Sequence, residues 1–496
     1  MSRTRLEQDT SQITPIPIFL CQHIQTKYQR TSYFNSDTVF LIIMSSKLPP
    51  PFIRSLIDNY GLEDQLLIDS IDKAESVTSI RLNPFKPSDL FNDQEVVPWC
   101  QNGRYLKDRP NFTADPIFHA GCYYVQEASS MFLEQALKTT IEPDQPIRIL
   151  DLCAAPGGKS TLISSLITRN SLLVSNEIIK TRVPVLTDNL NKWGPTNIFV
   201  SNNDPRDFKR LPGYFDVMVV DAPCSGSGMF RKDPAAIAHW SESAVQLCSE
   251  RQQRILADAY PSLKENGTLI YSTCSYSRQE NEDIADWLCE TFNMSTIRIP
   301  FKEIWGIQET MSDKKGAYGY RFYPHKLKGE GLYMACFRKN DTAEETKSKR
   351  INQLKNTFNE HILKNWLDTE TDYFIQVAND EQFAILPEHA ADFETLKSNL
   401  YLKKSGTRLG KIIGRDLIPH HELAMSLINN PDTPRIDLDA DRALEYLKRN
   451  EIKADCDFLG WALISFKGHH LGWAKSLQNR INNYFPKELR IINQKL

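Results

Sequence analysis

A regular alternation of short apolar runs and helical stretches between residues 146 and 292 constrains this chain more than any other feature. Residues 147–152, 172–176, 198–201, 215–220 and 268–272 read as strands. Helical stretches follow them: one after Pro156-Gly157-Gly158 that ends at Ile167, then 178–193, 244–263 and 281–292. Strands joined by connections of that length lie parallel, since an antiparallel pair needs only a tight turn. The expected fold class is α/β: a doubly wound sheet, helices on both faces, with its binding crevice at the carboxyl ends of the strands. Residues 320–324 and 332–338, separated by the polar segment 325–331, predict a closing β-hairpin.

The remainder of the 496 residues divides around this body. Residues 1–45, rich in Thr, Ser and Gln without a clear period, are expected to be a poorly ordered extension, of which 1–43 is expected to lie upstream of the real start. Residues 46–145 predict a small α+β domain. It has two helical segments over 52–75 broken near Gly61, a strand at 77–82, and a turn followed by a helix over 120–136. The parallel-sheet domain spans 146–340. Residues 339–351, charged and poor in apolar side chains, read as a linker. A second α+β domain is expected over 352–430, and Pro431, Asp432 and Pro434 mark a boundary before a last domain at 431–496. There, 460–466 reads as a strand that leads through Gly468 to Trp473 into an Asn- and Arg-bearing helix.

Lys and Arg number 59 against 62 Asp and Glu, so whole-chain charge gives no argument for a nucleic-acid partner. The charge is uneven, however: residues 459–496 hold six Lys and Arg and one Glu. Lys467, His469, His470, Trp473, Lys475, Arg480 and Lys487 interleave charge with rings there, a pattern suited to phosphate contacts plus base stacking. A merely solvated face is the plainer alternative. Ten cysteines without one C-x-x-C pair exclude a disulfide scaffold and the usual structural zinc spacing, so no metal is expected. No apolar run approaches the ~18 residues of a membrane span, and no signal peptide is evident. The expectation is a cytoplasmic monomer with reduced thiols and no membrane partner.

Three segments carry chemistry. Asp151-Leu152-Cys153-Ala154-Ala155-Pro156-Gly157-Gly158-Lys159-Ser160 follows a strand and opens a helix. It is not a P-loop, because Cys153 stands where the first glycine belongs, and it is not G-x-G-x-x-G. A ligand with a carboxylate and a ribose fits better: the helix N-terminus takes the carboxylate and Glu177, after the second strand, the ribose hydroxyls. Asp204 after the third strand and Asp221 after the fourth complete four acids on one sheet edge. Any one alone is more simply a helix cap; four at successive strand ends favour a cofactor cleft. The second segment is Asp221-Ala222-Pro223-Cys224-Ser225-Gly226-Ser227-Gly228, and the third Tyr271-Ser272-Thr273-Cys274-Ser275-Tyr276. Both place a cysteine just past a parallel strand, so Cys224 and Cys274 should face one pocket. Two thiols suit methylation of a pyrimidine at carbon 5. One adds to carbon 6 and makes carbon 5 nucleophilic toward a sulfonium methyl, an acid near ring nitrogen 3 promotes the addition, and the second thiol serves the elimination. This chemistry does not by itself say which thiol adds first.

These three segments, in this order, resemble the Nop/Sun family of RNA (cytosine-5)-methyltransferases, and the likeness runs from about residue 46 to the C-terminus. Gln126-Glu127-Ala128-Ser129-Ser130 resembles the family's lead-in helix. Gly472-Trp473-Ala474-Lys475 and Asn482-Asn483-Tyr484-Phe485-Pro486-Lys487 are similar to the PUA-like C-terminal domain of members that act on the small ribosomal subunit. The resemblance implies a Rossmann-like class I methyltransferase sheet. It implies S-adenosylmethionine held by Cys153, Ala154, Ala155, Pro156, Gly157, Gly158, Lys159, Glu177, Asp204 and Asp221. It also implies Cys274 as nucleophile, with Asp221 assisting and Cys224 helping product release, and 16S rRNA as partner. A transfer RNA substrate, or a non-catalytic RNA-binding assembly factor that keeps the fold, are the alternatives; filled motif positions argue against the latter. The missing G-x-G-x-x-G and the paired thiols argue against a nicotinamide oxidoreductase.

Overall fold

The computed structural model describes residues 43, 46–60, 65–73, 75–142, 144–346, 360–452 and 458–492. The expected extension at 1–45 lies outside them except for residue 43, as does part of the expected linker. Five parallel strands form the centre of the molecule: Arg148–Asp151, Leu172–Asn176, Ile198–Ser201, Phe215–Asp221 and Leu263–Thr273. In space they run third, second, first, fourth, fifth. The order reverses between the first and fourth strands, which opens a crevice beyond their carboxyl ends. Leu172–Asn176 and Ile198–Ser201 are buried along their whole length, which is why they read as unbroken apolar runs rather than alternating ones. Helix Val183–Trp193 packs on this sheet through Val183, Leu186 and Leu190, spaced to share one face.

The hairpin expected near 320–338 is present: Tyr318–Phe322 pairs antiparallel with Leu332–Lys339, which pairs antiparallel with the fifth strand. The long helix predicted to reach residue 263 stops at Ala259, because Pro261 cannot continue it, and Leu263 already begins the fifth strand. On the opposite edge Leu402–Ser405 pairs antiparallel with the third strand. Phe393, Leu396 and Leu400 share the core beneath it. Part of the segment expected as a separate unit after residue 352 thus closes the central sheet.

Residues ahead of the sheet form helices Pro50–Tyr60 and Gln65–Asp72 and a four-stranded sheet of Glu95–Val96, Gly103–Leu106, Thr78–Leu82 and Tyr123–Val125. The predicted turn near residue 120 contains that last strand. The expected lead-in helix begins as a 3-10 turn, Ser129–Phe132, with Leu133–Thr140 helical after it. The final sheet comprises Arg435–Leu438, Gly460–Phe466, His469–Leu477 and Arg480–Asn483. The helix expected beyond Trp473 is therefore a hairpin: Leu477 pairs with Arg480 across a two-residue Gln-Asn turn, and Ile481 is buried beside exposed Arg480. This sheet packs on the N-terminal domain, where Ile80, Ile117 and Tyr123 share a core with Ile436, Tyr446 and Ile464. Lys86 crosses the junction and donates to the carbonyls of Ala120 (3.0 Å), Lys192 (2.7 Å) and Met425 (2.8 Å).

Candidate active site

A cavity of about 450 Å³ lies in the crevice. The sheet side is formed by Cys153, Ala154, Ala155, Pro156, Gly158, Lys159, Asp221 and Cys274; Tyr124, Gln126 and Met229 face them. The turn after the first strand is fixed by its neighbours rather than by its own hydrogen bonds. Ala154 N donates to Asn176 O (2.8 Å). Arg182 Nη2 donates to Ala155 O (2.6 Å) and Asn189 Nδ2 to Pro156 O (2.8 Å). Gly157 has φ +112°, a conformation that side-chain-bearing residues rarely adopt. A Cβ on Gly158 would stand 3.3 Å from the Tyr124 ring, on the cavity wall, so glycine there keeps the space open.

Asp151 ends the first strand fully buried. Ser160 Oγ donates to its Oδ2 (2.6 Å), and Ser175 Oγ donates to Ser160 Oγ (2.9 Å). Its Oδ1 is buried with no hydrogen-bond partner among the described residues. Burial raises the carboxyl from 3.8 to about 7, against the opposing pull of the Ser160 hydrogen bond. Lys159 turns its ammonium to Asp221 Oδ2 at 2.7 Å, and Ser272 Oγ donates to Asp221 Oδ1 (2.8 Å). Burial disfavours the Lys159 charge, but Asp221 outweighs it and the lysine titrates above its ordinary value.

Cys224 and Cys274 come together at the end of the fourth and fifth strands, with Sγ···Sγ 3.1 Å. The hydrogen bond with Cys274, followed by burial, raises the Cys224 thiol well above its usual range. The other two acids behave differently. Glu177 is buried, accepts from Ile179 N (2.8 Å) and lies 3.4 Å from Arg182. Asp204 accepts from Arg206 N (3.1 Å) and caps the 3-10 turn Pro205–Arg210. Neither lines the cavity, which brings together only Asp221 of the four strand-end acids.

In the last domain the interleaved rings are not equivalent. Trp473 is buried, donates from Nε1 to His420 O (3.0 Å) and packs on Trp366, so it is core rather than a stacking surface. His470 is held at Ala424 O (3.3 Å). Lys467, Arg480 and Lys487 are exposed, and the accessible rings are Trp461 and Tyr484, 4.4 Å apart, with Lys475 over Trp461.

The sequence reading missed Glu280. Its carboxylate accepts from Ser225 N (2.7 Å), Ser225 Oγ (2.5 Å) and Ser275 Oγ (2.6 Å), joining the residues that follow the two cysteines. The repeated dipeptide, Cys224-Ser225 and Cys274-Ser275, was the available signal. It missed Arg81 too, a buried guanidinium that stacks on Trp193 and donates to Gln126 Oε1 (2.8 Å) and Thr161 Oγ1 (2.5 Å). Arg81 thereby ties the N-terminal sheet to the helix that follows Gly157.

The sequence model of the family described as 16S rRNA methyltransferase RsmB/F matches residues 138–338. The N-terminal domain of 16S rRNA methyltransferase RsmF matches 48–128, and the methyltransferase RsmF PUA domain matches 433–491. Ribosomal RNA small subunit methyltransferase F of Shewanella loihica is 31% identical over 414 residues, 80% of this chain and 83% of that protein. The protein of the same name in Aliivibrio fischeri is 30% identical over 433 residues, 83% of this chain and 90% of that one. Among solved structures, a methyltransferase homologue from Pyrococcus horikoshii superposes with a TM-score of 0.52 at 24% identity, covering 62% of this chain and 100% of that one, a likeness of fold. Matched along most of its length and in all three modules, the chain belongs to the ribosomal RNA small subunit methyltransferase F family, a family of RNA methyltransferases.

Proposed function

We propose that this methyltransferase transfers a methyl group from S-adenosylmethionine to carbon 5 of a cytosine in 16S rRNA, through a covalent bond between Cys274 and carbon 6. The observation that carries the reading is the pair of sulfurs 3.1 Å apart beside the Lys159–Asp221 ion pair, with Cys274, Lys159 and Asp221 lining one cavity. The small-subunit substrate is supported by the relatives' names and by matches to all three modules.

The residues present fit the cofactor. Asp151 offers a buried carboxylate oxygen with no partner among the described residues, suited to the methionyl ammonium. The Cys153–Gly158 turn is open where a side chain on Gly158 would fill it, and Glu177 stands beyond the second strand for the ribose. When bound, S-adenosylmethionine supplies an electrophilic sulfonium methyl.

Cys274 Sγ adds as thiolate to carbon 6. The electron pair of the C5–C6 double bond moves toward ring nitrogen 3, which takes a proton from the Lys159–Asp221 pair. Carbon 5, now nucleophilic, would take the methyl as its bond to the sulfonium sulfur breaks and leaves a neutral thioether. Cys224 Sγ, as thiolate, takes the carbon 5 proton, the C5–C6 double bond re-forms and expels the Cys274 thiolate, and nitrogen 3 returns its proton to the Lys159–Asp221 pair. Cys224, in contact with Cys274, serves that elimination. A base must leave its stack to reach Cys274, so a loop or junction cytosine is the suitable target. Phosphates and unstacked bases beside it suit Lys467, Lys475, Arg480 and the Trp461–Tyr484 rings. Among the described residues no helix is long and apolar enough to cross a membrane. We place the enzyme in the cytoplasm with its ribosomal substrate.

The test is transfer of labelled methyl to unmethylated small subunits and to unmodified transfer RNA. Label in the subunit's RNA as 5-methylcytosine, lost with Cys274→Ala, is the expected result. Cys224→Ala should leave a protein–RNA adduct that survives denaturing gels; its absence would overturn the assigned roles. Label in transfer RNA alone would replace the substrate and keep the chemistry.

A further inference from the structure

We propose that Glu280 is a positioning residue for methyl transfer, its carboxylate lacing the Cys224 loop to the Cys274 loop so that the two sulfurs stay in contact. The proposal rests on the reading of Cys274 as nucleophile and Cys224 as its partner in release.

Cys224 and Cys274 lie in loops beyond the ends of different strands, Phe215–Asp221 and Leu263–Thr273. The backbone links the two loops by one hydrogen bond at this level, Gly228 N to Cys274 O (2.9 Å). Serine side chains add direct links: Tyr276 N donates to Ser227 Oγ (2.9 Å), and Ser275 Oγ stands 3.2 Å from Ser225 Oγ and 3.4 Å from Ser227 Oγ. Glu280 gathers the two loops onto one carboxylate. One carboxylate oxygen accepts from Ser225 N at 2.7 Å. The other accepts from Ser225 Oγ (2.5 Å) and Ser275 Oγ (2.6 Å), so a single oxygen bridges the residues that follow both cysteines. Gln252 Nε2 adds a third anchor, shared between Pro223 O (3.1 Å) and Glu280 (3.3 Å).

Glu280 is itself held: Tyr271 OH, on the fifth strand, donates to its backbone carbonyl at 2.6 Å. Its side chain is fully buried and does not line the cavity, so it acts on the reaction only through the two loops. A carboxylate suits this position because an anionic acceptor takes several donors at once and makes shorter, stronger bonds than a neutral one. Burying such a charge is costly. Its donors come from the two sulfur-bearing loops and from the helix behind them, so the bonds that offset that cost also fix the sulfurs.

Misplacement of a reacting group by ~1 Å costs on the order of 10²-fold in rate. Glu280→Ala should therefore lower kcat for labelled methyl transfer about 100-fold, with the KM for RNA and the Kd for S-adenosylmethionine changed less than about threefold. The freed Cys224 loop should slow release more than attack, so the denaturation-resistant protein–RNA adduct accumulates. Glu280→Gln keeps an oxygen for Ser225 and offers an amide that the serine hydroxyls accept, and should recover at least about tenfold of the lost rate. Ser275→Ala cuts the lacing from the other loop, together with the contacts of its hydroxyl to Ser225, Ser227 and Ser277 N, and should give the same adduct with a smaller fall in kcat. If Glu280→Ala does not fold, Ser275→Ala decides the question.

Unchanged kcat in Ser275→Ala and Glu280→Ala would overturn the proposal. So would a loss confined to KM, or a Glu280→Gln enzyme no better than Glu280→Ala. Cys274→Ala, run in parallel, separates this from failure of the underlying reading. An inactive Cys274→Ala beside a fully active Glu280→Ala removes Glu280 alone. An active Cys274→Ala removes the covalent mechanism and the proposal with it.

Discussion

The two halves of the crevice look alike in sequence and differ in the structure. On the first, fourth and fifth strands, side chains from separate segments meet: Lys159 reaches Asp221, Cys224 reaches Cys274, and Glu280 joins the loops that carry the sulfurs. On the second and third strands, the acids are satisfied close by. Glu177 accepts from the amide two residues on, and so does Asp204. A strand-end acid bonded two residues ahead stabilises the turn in which it sits, whatever else it does. An acid paired with a side chain from another segment is held there by the whole fold, and such convergence is where charge is aimed at a reacting group. Position at a strand end is thus common to both kinds of acid; the location of the hydrogen-bond partner separates them.

Substitutions on the convergent side should cost chemistry most. Asp221→Asn keeps an acceptor for Ser272 but removes the charge that faces Lys159. Proton delivery to the base contributes ~10²–10⁴-fold in such sites, so labelled methyl transfer should fall about a thousandfold. An Asp221→Asn enzyme with more than a tenth of the wild-type rate would remove the ion pair from the reaction and level the contrast between the halves.

Asp151 sharpens the same contrast through pH. Burial raises it from 3.8 to about 7. An acid whose folded pKa exceeds its unfolded one takes up a proton on folding. Its contribution to stability is complete below pH ~4 and declines as pH rises to ~7, by at most ~4 kcal/mol at 1.36 kcal/mol per unit. Asp151→Asn removes that titration. Denaturant unfolding of the cofactor-free protein should therefore show the variant gaining on the wild type between pH 4 and pH 7. The oxygen without a partner is the proposed seat of an ammonium, so calorimetry should show S-adenosylmethionine bound about tenfold more weakly. Parallel stability curves for the two proteins would show that Asp151 is already ionised in the fold.

The parallel sheet was legible because its strands are buried on both faces, and a run such as Leu172–Asn176 leaves no alternation to misread. The cysteines were legible because strand ends in such a sheet converge wherever the residues lie in the sequence. The edge strand Leu402–Ser405 was not: its two lysines suit a loop, and only pairing with Ile198–Ser201 makes it a strand. Glu280 stayed hidden because a Glu-Asn-Glu run before a helix looks like an exposed N-terminus, and its burial comes from Ser225 and Ser275 folding over it. Trp473 was read as an RNA contact from its basic neighbours, but its indole donates inward to His420. Interleaving of charge and rings does not say which way a ring points; the packing of Trp473 on Trp366 does.

The smallest effect is expected at Asp204, on the local side. Its Oδ1 is committed to Arg206 N at the start of the 3-10 turn Pro205–Arg210, and Arg206 hovers at 3.9 Å, too far for a strong pair. Asp204→Ala removes a cap, a change that costs ~1 kcal/mol. Denaturant unfolding should register that loss. The Kd for S-adenosylmethionine and the transfer rate should each move less than about threefold, because the carboxylate is committed to that cap. Asp204→Asn, which still caps, should restore the stability. The opposite pattern, unchanged stability with cofactor affinity weakened tenfold, would place Asp204 on the ligand and make the crevice one continuous acid-lined site. Only the pairing of both measurements decides this, since a cap and a ligand contact use the same carboxylate and differ in which equilibrium feels its removal.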